Sequence, residues 1–227
     1  MPVYYLDEQL VFPHPLLAED GLLAIGGDLS IDRLLLAYQN GIFPWYNEGE
    51  PILWHAPDPR FVLFPEELKI SKSMRKFLKE SKWKTSLNQD FEAVIKNCGE
   101  QKRKNQDGTW ITKEMQDAYI ALHKAGFAHS VEVWDENEEL IGGLYGINLG
   151  SVFYGESMFH KASNASKLAF IKLLEGFPFK LIDCQVFTSH LASLGAREIS
   201  LTDFLKIIEK ESEKKEIVNR NTNFVWF

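Results

Sequence analysis

The alternation of apolar and polar positions divides the chain into two parts. Residues 1–64 are dense in Pro, Gly and aromatic side chains, which favours short elements, and one helix is predicted over 31–39 with Ser30 as its cap. From residue 65 onward the pattern is more regular. We therefore predict a small N-terminal domain over residues 1–64 and a larger domain over 65–227.

The larger part is predicted to hold helices first and strands later. Apolar residues at helical spacing predict helices within 69–84 and over 91–98, 113–124, 164–175, 189–194 and 203–215, the last capped by Thr202. Alternation predicts strands over 129–134, 140–147, 152–156 and 181–186. This order of elements predicts an α+β fold with a mixed, mostly antiparallel sheet flanked by helices.

The predicted strand at 181–186 carries two polar side chains, Asp183 and Gln185, in an apolar run. Alternation places both on one face of the strand. A buried charge is costly unless it is paired, hydrogen-bonded or facing a wet cleft, so they either line a cleft or belong to a buried structural network. Glu156 is predicted at the end of another apolar strand, and it too either lines a cleft or belongs to a buried structural network. Two acids in one cleft suit a cationic substrate group or the removal of a proton from an amine.

The net charge of −7 argues against a polyanionic partner, with one local exception. Residues 69–84 contain seven basic side chains and only one acidic side chain, Glu80. Four of them recur at helical spacing and form a predicted basic helix face, namely Lys72, Arg75, Lys76 and Lys79. This face is typical either of a solvated surface helix or of a polyanion-binding surface.

Other features exclude several classes of protein. No apolar run approaches the roughly 20 residues of a membrane span, and the N-terminus lacks a signal-peptide pattern, so we expect a cytoplasmic protein. The two cysteines lack any CxxC or Cys/His cluster, which argues against a disulfide framework and a metal site. Trp45 and Trp110 lie in turn-rich segments, where they either line a ligand pocket or fill a small core. A monomer is the default expectation.

The chain contains a series of motifs, in the following order: GLLAIGGDLS at 21–30, AYQNGIFPW at 37–45, PILW at 51–54, PDPR at 57–60, GTWIT at 108–112, HSVEVW at 129–134, GESMF at 155–159, LIDCQV at 181–186 and ASLGA at 192–196. In this order, the motifs resemble those of the bacterial leucyl/phenylalanyl-tRNA-protein transferases. Ordered motifs over most of a chain are far more specific than any single motif.

The resemblance implies an enzyme that transfers Leu or Phe from aminoacyl-tRNA to the N-terminal Arg or Lys of an acceptor protein, marking it for degradation by the N-end rule pathway. It implies a small N-terminal domain joined to a larger domain similar to the N-acetyltransferase superfamily (GNAT-like). An aminoacyl ester is already activated, so its aminolysis requires neither a metal nor a diffusible cofactor.

The resemblance also implies roles for particular residues. Asp183 and Gln185 match the family's catalytic pair, which orients and deprotonates the acceptor amine, and Glu156 would hold the acceptor's cationic end. The basic helix would bind the tRNA acceptor stem. The positions near the bound aminoacyl-adenosine are Trp45, Trp110 and Leu144.

Two departures from the family pattern change the expected pocket rim. His55 and Ala56 stand where Trp and Ser are expected, and Leu144 stands where Met is common. We expect an apolar pocket that also admits Met, because one methylene is worth only about 1–3 kcal/mol.

Two alternative functions remain. One is an acetyl-CoA-dependent N-acetyltransferase, although residues 161–166 lack the glycines that cradle a pyrophosphate in that class. The other is a non-catalytic tRNA-binding module in which Asp183 and Gln185 are structural.

Overall fold

The computed structural model describes residues 4–101, 110–212 and 225–226. Its first part contains a four-stranded sheet in the order β1-β2-β4-β3, in which only β1 and β2 are parallel. The strands are β1 Tyr4–Leu6, β2 Leu22–Gly26, β3 Phe43–Pro44 and β4 Leu53–His55. Helix α1, Ile31–Gln39, is capped by Ser30, whose hydroxyl accepts the Arg33 N–H. Its predicted bounds and cap are therefore confirmed.

The second sheet has eight strands in the order β11-β5-β10-β9-β8-β7-β6-β12. They are β5 Arg60–Leu63, β6 Lys84–Leu87, β7 Ala128–Trp134, β8 Leu140–Leu149, β9 Val152–His160, β10 Leu181–Asp183, β11 Arg197–Ile199 and β12 Val225–Trp226. Neighbouring strands are antiparallel except β9 and β10, which run parallel. The predicted α+β class with a mixed, mostly antiparallel sheet is confirmed.

Six further α-helices and two short 3-10 helices, Pro15–Leu17 and Pro65–Glu67, complete the described part of the chain. The α-helices are α2 Lys72–Glu80, α3 Phe91–Glu100, α4 Lys113–Ala125, α5 Ala165–Gly176, α6 Ser189–Ser193 and α7 Leu201–Ser212. The predicted helices agree with α2 to α6 to within a few residues. None of the helices described here combines the length and the apolar character needed to cross a membrane.

The prediction for the last helix is wrong at its start. Helix α7 begins at Leu201, and the Ser200 hydroxyl accepts the Asp203 N–H at 3.1 Å, so Ser200 rather than Thr202 caps it. Both residues are good capping types, and only the path of the chain decides between them. The part of the predicted helix beyond Ser212 lies outside the described residues.

Strand β10 is shorter than the predicted strand at 181–186. It ends at Asp183, whose Oδ1 accepts the Gln185 N–H at 2.9 Å, and Gln185 adopts a left-handed φ of 63°. Short acidic side chains commonly capture the backbone N–H two residues further on and thereby form a turn. The prediction that Asp183 and Gln185 share one face of a strand is therefore wrong.

Strand β9 is longer than predicted, and strand β5 precedes the predicted domain boundary. Glu156 lies inside β9 rather than at its end. Strand β5 lies in the larger sheet, where it pairs with β10 and β11, although it belongs to residues 1–64. The division into two domains stays a prediction, and the pairing of β5 with β10 brings Arg60 close to Asp183.

Candidate active site

A single cavity of about 440 Å³ collects the polar and aromatic residues that the sequence singles out. Strands β3, β8, β9 and β10, helices α5 and α6 and their adjoining loops supply its walls. Its volume is in the range of small-molecule sites, roughly 300–1,000 Å³. The six candidate residues outside the basic helix all line it, namely Trp45, Trp110, Leu144, Glu156, Asp183 and Gln185.

Glu156 is the hub of a buried hydrogen-bond network at this cavity. Its Oε1 accepts the Tyr38 hydroxyl at 2.8 Å and the Gln185 Nε2 at 2.7 Å, and its Oε2 accepts the Tyr119 hydroxyl at 2.9 Å. The two tyrosine hydroxyls also contact each other. Burial raises the pKa of the Glu156 carboxyl from 4.5 to about 7, against the opposing effect of the three hydrogen bonds. Glu156 can therefore gain or lose a proton near neutral pH.

Sequence reasoning missed Tyr38 and Tyr119. Both are fully buried, and burial is the first cause that raises the pKa of each phenol well above 10. They therefore act as neutral hydrogen-bond donors to the carboxylate. The only signal in the sequence is a tyrosine among apolar positions of α1 and of α4, which is an ordinary core pattern.

Asp183 is held by Arg60, which sequence reasoning also missed. Arg60 Nε and Nη2 donate to Asp183 Oδ1 and Oδ2 at 2.9 and 2.6 Å, and both side chains are 0% exposed. The guanidinium also lies between the rings of Phe43 and Phe204, at 4.7 and 4.6 Å from their centroids. Arg60 ends the PDPR motif at 57–60, but no local pattern indicates its distant partner.

Asp183 and Gln185 have different hydrogen-bond partners in this geometry. Asp183 accepts three hydrogen bonds, two from Arg60 and one from the Gln185 backbone N–H. The Gln185 side chain is 7% exposed and donates through Nε2 to Glu156, and no described residue donates to its Oε1. The carboxamide oxygen is therefore available to accept a hydrogen bond from a group bound in the cavity.

The aromatic side of the cavity includes both predicted tryptophans. Trp45 is 41% exposed, whereas Trp110 and Leu144 are buried. The His55 ring lies 5.7 Å from the Trp45 ring, and its Nε2 lies 3.0 Å from the Trp45 carbonyl oxygen. His55 therefore contacts Trp45, which lines the cavity.

The basic face of α2 is exposed, as the sequence predicts. Its four basic residues Lys72, Arg75, Lys76 and Lys79 are all exposed, while Met74 on the other side is buried. None of the four lines the cavity. The described residues contain no cluster of three or more His, Cys, Asp or Glu side chains suited to a metal ion.

Comparisons with known proteins match nearly the whole chain. Residues 62–209 match the family model "Leucyl/phenylalanyl-tRNA protein transferase", and residues 27–58 match the model of that family's N-terminal domain. A leucyl/phenylalanyl-tRNA–protein transferase of Flavobacterium johnsoniae is 59% identical over 92% of this chain and 100% of its own length. Its counterpart in Christiangramia forsetii is 58% identical over 91% of this chain and 100% of its own length.

A third relative of the same name, from Syntrophus aciditrophicus, is 58% identical over 92% of this chain and 89% of its own length. Similarity to solved structures is weaker. The structure of L-PGS from Bacillus licheniformis aligns with 75% of this chain and 57% of that chain, at 12% identity and a TM-score of 0.38. A similarity at that level carries no information on function.

Proposed function

Since this chain belongs to the leucyl/phenylalanyl-tRNA protein transferase family, we propose that its cavity is the place where Leu or Phe passes from an aminoacyl-tRNA to the N-terminus of a protein. The transfer itself is the family's activity. The observation that supports the location is the cavity, which six residues carried over from the family motifs line together. The remaining steps are proposals about this site.

The aminoacyl end of the tRNA binds to the aromatic and apolar side of the cavity. Trp110 and Leu144 are buried there and contact the Leu or Phe side chain, while the exposed Trp45 offers a stacking surface to the terminal adenine. Such a pocket discriminates by size alone, and one methylene contributes only about 1–3 kcal/mol. Met is therefore a further substrate.

The acceptor protein binds at the Glu156 end of the cavity. An N-terminal Arg or Lys brings positive charge to a carboxyl whose pKa is about 7, and this charge favours its ionised form. Binding of the acceptor thus favours the Glu156 carboxylate, which is the counterion of the acceptor's positive charge. A protein modified in this way would carry an apolar N-terminal residue and be marked for degradation by the N-end rule pathway.

The reaction requires alignment and one proton transfer. The neutral acceptor amine attacks the ester carbonyl, a C–N bond forms, and the ester C–O bond breaks as the ribose oxygen leaves. The amine loses one proton and the ribose oxygen gains one. Gln185 Oε1 accepts a hydrogen bond from the attacking amine and so orients its lone pair towards the ester.

Asp183 acts through Gln185 in this proposal rather than on the substrate. Its carboxylate is held by Arg60 and fixes the left-handed turn at Gln185. Asp183 and Arg60 are therefore positioning residues. Glu156 fixes the Gln185 carboxamide from the other side and is the nearby group able to exchange a proton near neutral pH.

Three further proposals concern the rest of the molecule. The larger sheet is GNAT-like, which its mostly antiparallel order with one parallel pair supports. The predicted domains are 1–64 and 65–227, and the family models divide the chain close to that boundary. The exposed basic face of α2 binds the tRNA acceptor stem by contacting phosphates.

A transfer assay tests the proposed function. Incubation with Phe-tRNA that carries labelled Phe and with a peptide beginning with Arg should label the peptide, and blocking the peptide's N-terminal amine by acetylation should abolish labelling. Retention of the tRNA without transfer would support a binding module instead. Acetylation of the peptide from acetyl-CoA would support an N-acetyltransferase.

A further inference from the structure

One end of the cavity is lined by two histidines, lies next to a lysine, and has no function in the reaction described above. Its walls there include His160 at the end of β9, Ser166 at the start of α5, and Thr188 and His190 at α6. Lys167 follows Ser166 in the first turn of α5. We call His160, Lys167 and His190 the cationic end.

The imidazole of His190 makes no hydrogen bond to any described residue. Its Nε2 is buried without a partner, although the side chain lines the cavity. Burial lowers the pKa of His190, and the charges of Lys167 and His160 lower it further, so the His190 ring is a neutral imidazole near neutral pH. A ring nitrogen left without a partner beside a cavity is free to hydrogen-bond to a bound ligand.

Lys167 also has no counterion within the described part of the chain. The only lysine of α5 besides Lys167 is Lys172, which forms an ion pair with Glu175 at 2.9 Å. Lys167 is half-buried, and none of the salt bridges between described residues includes it. The N-cap residue Asn164 makes no side-chain hydrogen bond to the first turn of α5. The charge of Lys167 is therefore not neutralised by an ion pair with any described residue, and it lies in the first turn of α5, next to Ser166 of the cavity wall.

We infer that the cationic end binds the phosphodiester that links the terminal adenosine of the aminoacyl-tRNA to the preceding nucleotide. This inference rests on the proposed function. The bound aminoacyl-adenosine is uncharged apart from its amino group, so this phosphate is the anion nearest to the reacting ester. The ammonium of a lysine and the N–H of a neutral imidazole both donate hydrogen bonds to phosphate oxygens.

With this subsite, the two ends of the cavity bind different groups, and this difference fixes the orientation of the bound aminoacyl-tRNA. The acceptor amine lies at the acidic end near Glu156, the Leu or Phe side chain lies against the apolar wall, and the phosphodiester lies at the cationic end. The basic face of α2 does not line the cavity and would contact more distant phosphates. The cationic end thus positions the ester itself, whereas α2 contributes to overall tRNA affinity.

Two small donors isolate the contribution of this phosphate. Phenylalanyl-adenosine lacks the phosphodiester, and phenylalanyl-CpA contains it. The ratio of their kcat/KM values with an Arg-starting peptide measures the preference for the phosphodiester, and general loss of folded enzyme cancels in that ratio. We expect the wild-type protein to prefer phenylalanyl-CpA by about tenfold or more, mainly through KM.

Substitution at the cationic end should abolish this preference. Lys167→Gln and His190→Gln should each reduce the ratio severalfold, and the double variant should bring it close to one. A methylphosphonate linkage, which removes the charge of the donor, should lower the wild-type ratio in the same way. Lys172→Gln, on the same helix, is the matched control and should keep the wild-type ratio.

The outcomes separate this inference from the proposed function. A wild-type ratio near one, or an unchanged ratio in the Lys167→Gln and double variants, would overturn the phosphodiester subsite while transfer from Phe-tRNA continued. If the wild-type protein did not transfer Phe even from Phe-tRNA, the proposed function itself would fail.

Discussion

The ion pair between Arg60 and Asp183 allows a quantitative prediction of stability. Both side chains are 0% exposed, so replacing Asp183 with Leu leaves a buried guanidinium without its counterion. Breaking one side of a buried pair costs about 3–5 kcal/mol. For a protein of 227 residues, each kcal/mol lowers the melting temperature by roughly 2–4 °C, so a decrease of about 10 °C is expected.

Removing both charges of the pair should lower the free energy of unfolding by less than removing only one. In the double variant with Arg60→Met and Asp183→Leu, neither charge of the pair remains, and apolar replacement of a buried ion pair is often nearly neutral. The remaining loss comes from the Gln185 N–H, which no longer has its acceptor at 2.9 Å, and is about 1–3 kcal/mol. The double variant should therefore be more stable than the Asp183→Leu variant.

Equilibrium unfolding in urea of the wild type, both single variants and the double variant measures this coupling. The double variant should regain stability without regaining transfer, because the turn at Gln185 has lost its support. Additive losses, or a loss below about 1 kcal/mol in the Asp183→Leu variant, would refute the argument that this pair is tightly coupled.

Three further predictions concern proton binding, tRNA binding and the pocket. The pKa of Glu156 is about 7 in the folded protein against 4.5 for the free side chain, so the folded state binds the proton more tightly and stability falls as pH rises through that window. Glu156→Gln should flatten this decline in urea midpoints measured from pH 5 to 8, and an unchanged slope would assign the decline to another group. Reversing the charges of Arg75 and Lys76 on the exposed face of α2 should weaken tRNA binding and reduce its salt dependence, whereas the same change at Lys206 on α7 should not. An unchanged salt slope would remove α2 from the tRNA interface. Leu144→Ala enlarges the apolar wall and should shift the donor preference from Leu towards Phe, and an equal loss with both donors would contradict its contact with the side chain.

Local sequence signals predicted the helices well, but they did not predict where strand β10 ends. The caps at Ser30, Ser71 and Thr112 hydrogen-bond to amide groups only three residues away, so the sequence alone is sufficient to locate those helix starts. The turn after β10 also has a local cause, in the Asp183 carboxylate, but the surrounding apolar run favours a continuous strand more strongly.

The sequence was sufficient to predict which of the site residues belong together, but it did not predict their hydrogen-bond partners. Family motifs were sufficient to identify Glu156, Asp183 and Gln185, which all line one cavity. Their partners come from distant parts of the chain: Arg60 is 123 residues from Asp183, and Tyr38 is 118 residues from Glu156. Pairing over such separations depends on the order of strands in the sheet, which periodicity does not encode.

In the proposed reaction, the Gln185 carboxamide aligns the acceptor amine for transfer. Its most direct test is single-turnover transfer of labelled Phe from Phe-tRNA to an Arg-starting peptide, measured for the wild type and for Gln185→Met, which removes the carboxamide at similar volume. We expect a rate about 100-fold lower in the variant with unchanged affinity for Phe-tRNA, since losing one aligned polar group at a reaction centre has effects of this size. Equal rates in the two proteins would show that the Gln185 carboxamide does not align the amine.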